Sequence, residues 1–114
     1  MTDTLLNGSN PGFGREGGED LPRVLVIDLD PPIEWNGHTY DVLRVEEPNG
    51  KMVLKAESEL ANGANFLTLR NYQFALVSNA SGIPRGAIEL MRISDITKAS
   101  DFLAGFMPGG LRTG

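Results

Sequence analysis

The chain has 114 residues, 40% of them hydrophobic, a formal net charge of -5 and no cysteine. A chain of this length suggests one domain with one modest core. The lack of cysteine excludes a disulfide framework, thiolate zinc sites and cysteine nucleophiles, and the acidic balance argues against a nucleic-acid binder, which needs a basic patch.

No apolar run approaches the roughly 18 residues of a membrane-spanning helix. The first residues also lack the basic region and apolar core of a signal peptide, so the expected location is the cytoplasm. Charge is uneven along the chain. Residues 1–65 hold 12 acidic and 5 basic side chains, net -7, whereas residues 66–114 hold 3 acidic and 5 basic, net +2. Either the acidic half is simply well solvated, or the less charged half presents a surface to another protein.

Residues 1–22 are rich in glycine (Gly8, Gly12, Gly14, Gly17 and Gly18) and predict a disordered arm. From Arg23 to Leu29 a mostly β-branched run predicts a strand, with Leu25, Ile27 and Leu29 on one face and Val24, Val26 and Asp28 on the other. Pro31-Pro32 bends this strand or marks an edge, because proline donates no ladder hydrogen bond. Ile33, Glu34 and Trp35 continue it. Asn36-Gly37 is the strongest turn signal in the chain, since both residues accept the positive φ of a two-residue type I′ hairpin. The return strand is expected from about Thr39 to Glu46, with Tyr40 and Val42 on one face and Leu43 and Val45 on the other.

Pro48 closes the strand and suits a first helical turn. The helix that follows, from about Gly50 to Ala61, carries Val53, Ala56 and Leu60 at helical spacing and ends at Asn62-Gly63. Asn65 is the expected cap of a second helix from Phe66 to about Ala80, with Leu69, Tyr72, Leu76 and Ala80 as its stripe and Gly82 as its stop. Ile83-Pro84 opens a short third helix with Ala87, Ile88 and Met91 as its apolar residues. Ser94 is the expected cap of a last helix from Asp95 to about Met107, where Ile96, Ala99, Leu103 and Phe106 recur at +3, +4 and +3. Residues 108–114 are expected to be a flexible tail. The order predicts an α+β fold in residues 23–107: an antiparallel hairpin or small sheet, then three to four helices that cover it.

Catalytic clusters are not readable. His38 is the sole histidine and stands beside the hairpin turn, without a second histidine or a cysteine to share a metal. Asp28 and Asp30 fall on one face of a strand but lack convergent partners, and Glu46 and Glu47 point to opposite faces. Lys51 follows Gly50 without the rest of a phosphate-binding loop. The expectation is a protein with no catalytic residues, cofactor or metal, and no nucleic-acid or membrane partner.

The aromatic area lies in Trp35, Tyr40, Phe66, Tyr72, Phe74, Phe102 and Phe106, most of it explained by a core. Phe74 and Phe102 fall off the main stripes of their helices. They are either anchors for a partner or residues covered by a second helix. Phe66, Tyr72, Phe74, Phe102 and Phe106 form the candidate partner-binding set.

The stretch Pro32-Ile33-Glu34-Trp35-Asn36-Gly37-His38-Thr39-Tyr40-Asp41, running on through Leu43 and Val45 to Glu47-Pro48-Asn49-Gly50, resembles the opening of a family of phage tail assembly chaperones. Ser81-Gly82-Ile83-Pro84 resembles the family's break after a helix, and Ile88, Met91 and Asp95 match the short helix and the start of the last one. The residues of this motif are Pro32, Asn36, Gly37, Tyr40, Pro48, Gly50, Gly82, Pro84 and Asp95, all structural. The resemblance covers about residues 24–107, and the glycine-rich arm departs from it.

The resemblance implies a short protein encoded between the tail tube and tape-measure genes of P2-like and Mu-like phages or prophages. It implies that the protein coats the helices of the tape-measure protein in the host cytoplasm, keeps them soluble until the tail tube polymerises, and is absent from the virion. A longer frameshifted product, contact with the tail tube protein and homo-oligomers are further implications. Open alternatives are a minor structural tail or baseplate component, or a small acidic inhibitor or antitoxin.

Overall fold

In the computed structural model, which describes residues 23–107, the β-branched run and its return form one antiparallel hairpin: β1 (Val24–Trp35) and β2 (His38–Glu46). The expected arm over residues 1–22 and tail over residues 108–114 lie outside the described residues. Asn36 and Gly37 have φ of 51° and 81°, as a type I′ turn requires, and Trp35 pairs with His38 across it. The ladder is regular from Val24↔Glu46 to Asp28↔Val42, then shifts register before Ile33↔Tyr40.

Pro31-Pro32 lies in that shift. Leu29, Asp30, Pro31 and Pro32 stand opposite Asp41 alone, which removes the prolines from positions where an N–H would be needed. The shift corrects the expected pairing of Tyr40 with Val42 on one face. Tyr40 packs against the core beside Ile33, while Val42 is exposed, because the irregularity breaks the simple alternation between them.

Four helices follow, so the fold is α+β: α1 (Gly50–Glu57), α2 (Phe66–Ser81), α3 (Arg85–Ile88) and α4 (Ile93–Ala104), with a 3-10 turn at Ser58–Leu60 after α1. Asn49, not Pro48, starts α1: its side chain accepts a hydrogen bond from the Met52 N–H at 2.9 Å, and Pro48 precedes the cap. Asn65 caps α2 as expected, in a reciprocal box with Thr68. The Asn65 side chain accepts from the Thr68 N–H at 2.9 Å, and the Thr68 hydroxyl accepts from the Asn65 N–H at 2.8 Å. Gly82 closes α2 with φ of 75°. The last helix begins earlier than the Ser94 cap predicts. Arg92 occupies the capping position without a side-chain hydrogen bond, and Ser94 lies inside the helix.

The core lies between the inner face of the hairpin and the helices. Ile27 and Leu43 face each other across the ladder, with Leu29 and Val45 beside them. Over them pack Leu76 and Val77 of α2, Ala87 and Ile88 of α3, Met91, and Ile96, Ala99 and Leu103 of α4. Among the described residues every buried side chain is apolar, and no helix is long and apolar enough to cross a membrane.

Candidate partner-binding site

α2 is the longest helix and outreaches its neighbour α1. Its 16 residues span about 24 Å at 1.5 Å per residue, twice the reach of the 8-residue α1 beside it. The two are tied at one end, where the Asn79 amide of α2 donates to the Met52 carbonyl of α1 at 3.0 Å. The buried residues of α2, Leu76 and Val77, both lie in its second half. Its first turn is correspondingly bare: Phe66 is 95% exposed, Leu67 69% and Leu69 41%. Leu69 was expected in the buried stripe and instead faces outward.

An open trough of about 310 Å³ runs between this end of α2 and α4, lined by Phe66, Leu69, Arg70, Tyr72, Gln73 and Ser100. Two of the five candidate aromatics, Phe66 and Tyr72, belong to it. Burial, and secondarily the negative charge of Glu57, raise the Tyr72 pKa above its ordinary value of 10.0. The neutral phenol therefore lines the trough at physiological pH. Phe74 is half-buried and packs against the core, the covered alternative for that residue. Phe102 also packs on the core, and Phe106 meets it edge to face at 5.2 Å between ring centres, so these two form a separate pair at the end of α4. Leu67, Arg70, Gln73 and Ser100 were not singled out from the sequence. The clue available was the aromatic-aliphatic cluster Phe66-Leu67 directly after a helix cap, ahead of the residues that helical spacing buries.

The polar groups elsewhere hold elements together. Arg85 joins three of them: it donates to Asn71 Oδ1 of α2 at 2.7 Å and lies 3.4 Å from Glu59 of the 3-10 turn and 3.3 Å from Glu89. Arg23 pairs with Glu47, and Arg44 with Glu46. His38 is exposed, with its ring 6.4 Å from that of Tyr40. Asp28 and Asp30 are both exposed. Among the described residues no group of histidine, aspartate and glutamate is arranged to hold a metal ion. Of the motif residues, Asn36 and Gly37 form the turn, Gly82 closes α2 and Pro84 precedes α3, while Asp95 lies in the first turn of α4, two residues inside its start.

What this arrangement offers is a bare helix end flanked by a shallow apolar trough, a geometry suited to holding another polypeptide. A family model described as phage tail assembly chaperone proteins, E, or 41 or 14, matches residues 26–108, which takes in nearly all of the hairpin and all four helices. No curated protein and no solved structure matches the chain.

Proposed function

This chain belongs to the phage tail assembly chaperone family, and we infer from that premise that its partner is the tape-measure protein, whose helical segments it binds and keeps soluble until the tail tube polymerises. The observation that carries this reading is the bare end of α2, where Phe66, Leu67 and Leu69 stand in solvent beside the trough. Three large apolar side chains exposed within one helical turn, beside a trough with a polar rim, are a candidate interaction site. Tape-measure proteins are long and helical, and amphipathic helices dock by placing an apolar stripe in such a groove.

Phe66 and Tyr72 are the primary anchors in this reading, with the Phe102–Phe106 pair as an extension along α4. The exposed acidic residues of the hairpin keep the coated complex soluble by charge repulsion. Binding is reversible, because the patch is small and the partner must be released to the tube. The chain acts in the host cytoplasm and performs no chemistry of its own.

Mass spectrometry of tail precursors and of finished particles tests the reading. The chain is expected with the tape-measure protein in precursors that lack a tube, and is expected to be missing from purified particles. Persistence in particles at a fixed ratio to tail proteins would make it a minor tail component instead.

A further inference from the structure

The trough is asymmetric in charge, and that asymmetry bears on what fills it. We propose that it receives an amphipathic helix whose apolar stripe is flanked by carboxylates, with Arg70 holding that flank. This rests on the reading above only for the premise that the partner is helical.

Arg70 is the sole charged residue among the six that line the trough. No acidic residue occurs from residue 60 to residue 88, which includes all of α2. Glu57, whose charge reaches Tyr72, is not part of the lining. Arg23, Arg44 and Arg85 each meet a glutamate, whereas Arg70 is hydrogen-bonded to the neutral Gln73 Oε1 at 2.8 Å. That bond uses one guanidinium donor and steadies the side chain. The remaining N–H groups stay available, and a guanidinium fork matches a carboxylate well.

Phe66, Leu67 and Leu69 on their own offer a few hundred Å² of apolar surface, less than the roughly 800 Å² that each partner buries in a standard stable interface, which favours one docked helix over a second copy of this chain. Depth defines the mode of entry. A volume of about 310 Å³ accommodates side chains but not a helix about 10 Å across. The partner therefore lies over the trough, drops anchors spaced three or four residues apart into it, and carries its flank past Arg70.

The test uses the full chain and two labelled synthetic peptides of one length with one shared apolar stripe, flanked by glutamate in the first and by lysine in the second. Binding is followed by fluorescence anisotropy at 0.15 M salt, where the Debye length is about 8 Å and distant charges are screened. The net charge of -5 would favour the lysine peptide, so preference for glutamate reports the local site. The glutamate peptide is expected to bind about threefold or more tightly. Arg70→Glu, an exposed position, is expected to reverse the order. Phe66→Ala, also exposed, is expected to weaken both peptides by about tenfold. Equal affinities, an order unchanged in Arg70→Glu, or no binding of either peptide would overturn the proposal. The peptides contain no phage sequence, so that failure leaves the tape-measure reading standing. Persistence of the chain in finished particles would end that reading without touching this one.

Discussion

Among the glycines of the described residues, Gly86 has the closest neighbours. A Cβ built there would lie 2.4–2.5 Å from the Trp35 indole atoms Cζ2, Cε2 and Nε1, so only glycine lets the hairpin tip lie against α3. Gly86→Ala must push the ring away, at a cost of about 1–3 kcal/mol typical of overpacking. Trp35 is the one tryptophan, so its emission reports the event directly. A red shift and an earlier denaturation midpoint are expected together.

At Tyr72 the sign of a pH effect follows from the raised pKa. The folded chain holds the phenol proton more tightly than the unfolded chain, whose value is near 10.0. The associated stability is fully present below pH 10 and is lost as pH rises from there through the folded value. Tyr72→Phe is expected to flatten that part of the alkaline stability profile, measured by denaturation midpoints at successive pH values. At this scale legibility was mixed. Asn36-Gly37 and Gly82 could be assigned from the sequence because their backbone demands are local. The Gly86–Trp35 contact could not, because it joins residues about fifty positions apart and leaves no periodic trace.

Among the elements, α4 shows how far spacing alone goes. Ile96, Ala99 and Leu103 recur at helical intervals and are all buried, as their pattern predicts. Leu103 is fully buried, and Leu103→Ala is expected to cost about 2–5 kcal/mol. Ile93 on the same helix is 54% exposed, and Ile93→Ala should fall within about 0.5 kcal/mol of the parent. Chemical denaturation of both variants checks the pair.

The start of α4 was not legible, since Arg92 occupies its capping position without any side-chain hydrogen bond. For α2 the reverse holds. Its cap is written in Asn65 and Thr68, and Asn65→Ala is expected to lower stability by about 1 kcal/mol in the same measurement. The hairpin lies between these cases. Its turn was legible, but the register shift was not, because Pro31-Pro32 shows that the ladder is interrupted without showing how many residues are skipped. The burial of Tyr40 apart from Val42 followed from that hidden count.

In the molecule as a whole, the charge asymmetry acquires a place. The hairpin exposes Asp28, Asp30, Asp41 and Glu46, whereas the bare end of α2 carries aromatic and aliphatic side chains with Arg70 beside them. The order of strands and helices was legible from turn and cap residues, and the family from the order of its motifs. The site was only half legible. Spacing identifies which side chains share a helix face but not how far a neighbouring helix reaches along it: it leaves Phe74 open between a partner and a covering helix, and the structure packs it against the core, whereas Leu69, expected in the buried stripe, stands outside.

The central claim is that this bare end holds helices of a tape-measure protein in solution. The most direct measurement is the fraction of a purified tape-measure fragment that stays in the supernatant as increasing amounts of the chain are added. Wild-type chain is expected to raise that fraction to a plateau, and Phe66→Ala, with an unchanged denaturation midpoint, to raise it far less. A fragment that precipitates to the same extent with and without the chain would contradict the account.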